Sequence, residues 1–418
     1  MGGMLWCLLS AALAGPLDDA RRLRRARLPD AADLLLIDAW LDGSLPPAAQ
    51  PEALARLTAR YDETRDPAAL EQLLGAGIPL PEADALDYLR GVSSWEAGEQ
   101  RAALDHFAAI SADAPSAPWG DYIAGTIYHA QGRYKSAAGS FHRAYTAPHA
   151  ERALRDRALL GIGWAYFRFG RYEEADRYLS LIAPDSLVWP QVLLTQAWGR
   201  FYLGEPPAAL GLLLALRSPQ LRAASFFPEA GVLEAIIYFE HCNYAPAVRL
   251  AEQAEGDLAA ISATLAEISR APEPLRRLGD LPAGVQARLL QDRDLSVALD
   301  RYTRLGAELG SQRLSPPLRE RVAAAQQAAH SDAGARLAEL ASVLRREAGE
   351  HQLQAEILRY EVPLSASRGC QLGRLGPEPR VYPFSCALGV SFTEWPFHHE
   401  FWADELGAYQ VQIQDRCW

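Results

Sequence analysis

The chain has 418 residues, 49% of them hydrophobic and 22% charged, a composition that excludes a disordered or fibrous polypeptide. Its 41 basic and 52 acidic side chains give a net charge of −11, so bulk electrostatics supplies no attraction for nucleic acid or an anionic lipid surface. No run reaches the ~18 apolar residues of a membrane-spanning helix, and a chain of this length is expected to hold two or three structural units.

Residues 1–14 form the first segment. The apolar run Met4–Ala14 ends in Ala12-Leu13-Ala14, a small-x-small cleavage pattern, which leads us to expect a Sec-type signal peptide. Two features oppose that reading. No Lys or Arg precedes the run, and the five arginines of "ARRLRRAR" (20–27) follow it. Leu5-Trp6 before Cys7 also lacks the small residue of a lipoprotein signal. Export to a periplasmic or envelope location is the expectation, with a cytosolic protein as the alternative.

Residues 15–83 read as helices, as in "ADLLLIDAWL" and "PEALARLTARY". They are expected to cap the open end of a helical stack formed by the next segment, since a terminal repeat must cover exposed apolar surface. From 84 to 256 the chain repeats itself, and self-similarity of this kind decides an architecture. Starting at Gly125, Tyr128 falls at +3, Gly132 at +7, Tyr134 at +9, Ala137 at +12, Phe141 at +16 and Ala144 at +19. This is the tetratricopeptide (TPR) pattern of helix, tight turn and second helix. Gly91, Gly98, Ala103 and Phe107 carry it earlier; Gly163, Tyr166, Gly170, Tyr172 and Ala175 carry it later. Ala197, Gly204 and Ala209 begin a fourth copy. Ala235, Tyr238, Cys242, Tyr244 and Ala247 make a looser fifth, with Cys242 where the turn glycine belongs.

Residues 257–362 show long amphipathic patterns rich in Ala, Leu, Arg and Glu, each expected to form one long helix, "GVQARLLQDRDLSVALDRYTRLGAEL" (284–309) among them. Gly334 is where the last of them is expected to bend, and Pro363 is expected to end it. From 363 to 418 the chain is irregular and rich in Gly and Pro, with strand-like pieces "RVYPF" and "YQVQIQ". The expected fold is therefore all-α: a TPR α-solenoid of about five repeats, then long amphipathic helices, then a small irregular tail.

First helices of TPR hairpins line the concave face of a stack. In this register the groove positions are Val92 and Trp95, Thr126 and His129, Trp164 and Phe167, Trp198 and Phe201, and Ile236 and Phe239, with Tyr88, Tyr122 and Tyr202 close by. Such an aromatic surface rarely stays uncovered. Either the chain's own long helices or tail fill it, or a partner segment docks there as a helix in a groove. The tail raises the same question, since 391–409 hold six aromatics. Trp395, Phe397, Phe401 and Trp402 are expected to dock onto the repeats.

No GxSxG, HExxH or Walker-type loop appears, and "GIGWAY" (161–166) is an incomplete glycine fingerprint whose Trp164 and Tyr166 belong to a repeat. His398-His399-Glu400 reads as a polar stretch between aromatics rather than a metal site. We therefore expect no enzyme, cofactor or metal. The cysteines form no CxxC pair. Cys370 and Cys386 are close in sequence, which makes a local disulfide natural. That leaves Cys242 and Cys417 for a bridge that clasps the tail to the last repeat. Buried free thiols, with Cys417 on a frayed end, are the alternative.

Two stretches carry a more specific likeness. Residues 187–248 hold "SPQL…FFPEA" and "YFEHCNY", and residues 393–417 hold "TEWPFHHEFWADELGAYQVQIQDRC". Together they resemble the TPR proteins of deltaproteobacteria typified by the GltE and AglT components of the myxobacterial gliding-motility machinery. The resemblance implies a non-enzymatic scaffold of the cell envelope with protein partners, peripheral to the membrane. A periplasmic chaperone for apolar segments of envelope clients is the second reading.

Overall fold

The computed structural model describes residues 15–77, 80, 83–367, 381–383, 401 and 406–416. In chain order the helices are α1 (Pro16–Arg25), α2 (Pro29–Leu41), α3 (Gln50–Thr64), α4 (Ala68–Gly75), α5 (Asp84–Glu96) and α6 (Gln100–Ala109). Then come α7 (Ala117–Ala130), α8 (Tyr134–Thr146), α9 (Arg152–Arg168), α10 (Tyr172–Leu179), α11 (Trp189–Tyr202) and α12 (Pro206–Leu216). The last are α13 (Pro219–Ala224), α14 (Pro228–Glu240), α15 (Tyr244–Ile268), α16 (Ala283–Leu290), α17 (Arg293–Leu309) and α18 (Pro316–Ser367). Strands β1 (Val381–Pro383) and β2 (Tyr409–Val411) pair antiparallel, with Tyr382 opposite Gln410. Among the described residues the protein is all-α apart from this short ribbon.

The hairpins α5–α6, α7–α8, α9–α10, α11–α12 and α14–α15 share one turn. Its apex is Gly98, Gly132, Gly170, Gly204 or Cys242, each with positive φ. The apex N–H donates three residues back and the next N–H five back: Gly132 to the His129 carbonyl at 3.0 Å, Arg133 to that of Tyr128 at 2.9 Å. The same two bonds recur at all five turns. This is the Schellman closure of a helix, which requires a left-handed residue and so favours glycine. Cys242 adopts it at φ 54° while carrying a Cβ, a conformation that costs about 1–2 kcal/mol for an L-residue.

The interior of each hairpin follows from the same register. A Cβ added to Gly91, Gly125 or Gly163 would sit 2.5, 2.7 or 2.6 Å from the side chain of Phe107, Phe141 or Leu179 respectively. In the last two hairpins this position is Ala197 or Ala235, both fully buried. Ala103, Ala137, Ala175, Ala209 and Ala247, on the second helices, are buried as well. In the first three hairpins the small residue on the first helix is therefore a requirement for close approach, met by a bulky apolar side chain from the second.

The chain divides into two compact units. One comprises residues up to Gly120 together with Asp292–Arg336; the other comprises Asp121–Gln291 and Leu337 onward. The linear segments read from the sequence are thus regrouped, with the first repeat joining the N-terminal helices. What recruits 292–336 to its unit is a charged network. Glu308 accepts the N–H groups of Asp30 and Ala31 at 2.9 and 2.8 Å, satisfying the N-terminus of α2. Burial nevertheless pushes its carboxyl up to about 7. Arg304 pairs with Asp30 and Asp66, and Arg321 with Asp38. Arg293 donates to the Tyr88 hydroxyl at 2.7 Å. Leu305, Leu314 and Val322 add an apolar seam with Leu28, Ala31 and Leu34.

Two expectations about the later helices need correction. The pattern over 284–309 is not one helix: it breaks at Gln291–Asp292, where the Asp292 carboxylate accepts the Leu295 N–H at 3.0 Å and caps α17. Pro363 does not end α18, which continues to Ser367. A proline so near the end removes one donor, and the neighbouring Val362 is fully buried in the core of its unit.

Phe141 touches both Gly125 and Gly161. Phe141→Ala is expected to lower the unfolding free energy by about 3–5 kcal/mol through the cavity it leaves. Urea unfolding checks this; an unchanged midpoint would break the assigned register.

Candidate functional site

The groove positions of the third and fourth hairpins come together in one aromatic cluster. Phe167 lies 5.9 Å from Tyr202 and 5.2 Å from Tyr172, ring centroid to centroid. Tyr172 and Tyr202 stack at 5.1 Å. Trp198 stacks on Tyr202 at 5.9 Å and meets Phe201 edge-on at 6.0 Å. Trp164 sits on the same pair of hairpins, its Nε1 donating to Thr195 Oγ1 at 3.1 Å. Tyr202 is 54% and Trp164 38% exposed. A polar border adjoins the rings, where Arg200 pairs with Asp176 at 2.8 Å and Glu205 at 2.7 Å.

Other predicted positions are placed differently. Trp95 is exposed, but it belongs to α5 of the first unit. Tyr122 packs on Phe141 at 5.5 Å, inside its hairpin. His129 lies 5.4 Å from Tyr134, with its Nε2 buried; burial, then Arg168, pulls its pKa down, against a hydrogen bond to the Trp164 backbone. Phe239 and Ile236 pack against the cluster that Val232, Ala235 and Ala251 form with Ala355 and Leu358 of α18, so the chain meets its own fifth hairpin there. Sequence reasoning treated Tyr172 only as a repeat position. Its place two residues after the turn glycine, on the helix facing the next hairpin, was the available signal.

The tail answers to a different surface. Tyr409 and Val411 are buried in the core built from the third to fifth hairpins, with Phe401, Leu406 and Ile413 packed against it. Phe401 meets Tyr409 edge-on at 6.3 Å. Trp395, Phe397 and Trp402 lie outside the described residues. The strand lies so close to α12 that a Cβ on Gly211 would fall 1.6 Å from the Tyr409 carbonyl oxygen. Sequence reasoning missed Gly211, although an isolated glycine among leucines inside a helix usually marks such an approach.

Farther along, the Arg416 N–H donates to the His241 carbonyl at 3.1 Å, and Asn243 Nδ2 donates to the Gln414 carbonyl at 2.8 Å. The tail therefore reaches the turn whose apex is Cys242. Cys242 is disulfide-bonded; Cys370, Cys386 and Cys417 lie outside the described residues. A disulfide also explains why a Cβ is tolerated at a left-handed apex, because glycine has no side chain to form one.

Hairpins closed by identical left-handed turns, with small residues and rings interlocked inside, define an all-α protein of the TPR type. No helix among the described residues is long and apolar enough to cross a membrane. No family model matches the chain, and no curated protein matches it. Among solved structures it is similar to a tetratricopeptide repeat protein from Parabacteroides merdae. That likeness has a TM-score of 0.37 and 17% identity over 58% of this chain and 91% of the other.

Gly211→Ala is expected to displace β2. The overlap costs about 1–3 kcal/mol or more, against a gain of about 1 kcal/mol in helix propensity. Faster amide exchange at 409–416, with α12 still helical, is the expected outcome. Unchanged protection would mean that the close approach is not needed.

Proposed function

We propose that this protein is a non-enzymatic scaffold that binds protein partners through the aromatic surface of its third and fourth hairpins. The observation that carries the reading is the cluster of Phe167, Tyr172, Trp198, Phe201 and Tyr202. Large, partly exposed rings beside a charged border have the anatomy of a hot spot. Fixed ring stacking lowers the ordering entropy that binding must overcome.

The finer reading is a structural element of a cell-envelope complex of the gliding-motility kind. It is supported by the likeness of residues 187–248 and 393–417 to envelope TPR proteins and by the use of a disulfide, which suits an oxidising compartment. Within that reading Cys242 bridges Cys417 and holds the tail. Non-reducing peptide mapping of protein from its native host is expected to recover the two as one cross-linked peptide. Both alkylated as free thiols would end the clasp.

Crosslinking mass spectrometry of the native complex tests the surface. Trp198→Ala and Tyr202→Ala are expected to keep the helical circular dichroism yet weaken a stoichiometric partner by ~10-fold or more. Equal recovery with all variants would overturn it. Suppression of client aggregation, lost in the same variants and without a stable partner, would instead identify a chaperone.

A further inference from the structure

We propose that Glu229, Glu347 and His351 form a binding site for a transition-metal dication of the zinc class, which pins α18 to the first helix of the fifth hairpin. Glu229 stands in the first turn of α14. Glu347 and His351 lie four residues apart on α18, a spacing that places two side chains on one helix face. One potential ligand atom from each of the three lies within 4.8 Å of the others. Zinc bonds of about 2.0–2.2 Å place tetrahedral ligand atoms about 3.3–3.6 Å apart. Closing the site thus requires the ligand atoms to draw together by about 1 Å.

The surroundings of each ligand point the same way. His351 Nδ1 contacts Gln354 Oε1 at 2.8 Å. With Nδ1 as the donor, the lone pair sits on Nε2, the atom 4.0 Å from Glu229 Oε2. Metal-bound histidines are oriented by such a bond from the second nitrogen. Arg288 Nη2 donates to both oxygens of Glu347 at 2.8 and 2.7 Å, while its Nη1 donates to the Phe226 carbonyl at 2.9 Å. This holds the carboxylate in place and leaves each oxygen a free lone pair. Glu229 Oε2 is shielded from solvent and accepts no hydrogen bond, an arrangement that a buried carboxylate oxygen does not keep without cost.

The charge balance favours a cation. With a neutral imidazole, the two carboxylates and Arg288 sum to −1. Burial pushes the Glu229 carboxyl above its ordinary range, and a dication would hold it ionised. One imidazole with carboxylates suits zinc and its neighbours, whereas calcium and magnesium prefer all-oxygen sets. The rival occupant is a proton on His351, which would pair with Glu229 and leave no place for a metal.

The full-length oxidised protein, stripped with chelator, is titrated with Zn2+ by calorimetry and with Co2+ by absorption. One saturable equivalent is expected, with cobalt d–d bands and no thiolate charge-transfer band, and with a rise in melting temperature on adding Zn2+. His351→Gln and Glu229→Gln should each weaken binding ~10-fold or more and abolish the rise. Melting curves in chelator identify the variants that fold, and either one suffices for the reading. Absence of saturable binding, a thiolate band, or undiminished binding in a folded variant would overturn the site.

Discussion

The structure depends on how closely two helices of one hairpin approach. That distance is set by a residue without bulk on the first helix, filled by a side chain from the second. Phe107, Phe141 and Leu179 occupy space that a Cβ on Gly91, Gly125 or Gly163 would claim. The left-handed apex closes the first helix with two backbone bonds and reverses the chain within a few residues. Packing and turn each presuppose the other. A turn one residue longer would rotate the ring of the second helix away from its gap, because adjacent helical positions point about 100° apart.

The fifth hairpin departs from this rule in an instructive way. Cys242 keeps the left-handed turn and both of its hydrogen bonds, but carries a Cβ and is disulfide-bonded. Local backbone preference is weakened at the one turn that the tail reaches through Arg416 and Gln414. Gly211 plays the complementary part on α12, where helix propensity is given up so that a strand can lie against the backbone. The cost at each position is local, and the return comes from a segment far along the chain.

In the unit that holds the N-terminal helices, charge joins 292–336 to them. Asp30, Asp33 and Asp66 are largely buried beside Arg24, Arg60, Arg301 and Arg304. Buried ion pairs of this kind add little net stability over apolar packing, but removal of one partner is strongly destabilising. Asp33 illustrates the tension, since burial raises its carboxyl to about 6 despite the Arg24 bond.

The sequence by itself determined the hairpins. Their code is local: a small residue, a left-handed apex that is glycine in four of five turns, and a bulky apolar side chain at fixed offsets within one repeat. It also placed Phe167, Trp198, Phe201 and Tyr202 on neighbouring hairpins, because the repeat period carries the face of a helix forward. Only the tertiary structure decided what is distant along the chain. The pairing of 292–336 with the N-terminal helices rests on arginine–carboxylate partners 235 to 283 residues apart, and amphipathic periodicity does not name partners. Whether an aromatic position faces solvent, as Tyr202 does, or packs against a cluster that α18 shares, as Phe239 does, depends on where a distant helix lies. The meeting of Glu229 with Glu347 and His351 has the same origin, since residues without a shared local motif become a constellation only once two helices pack.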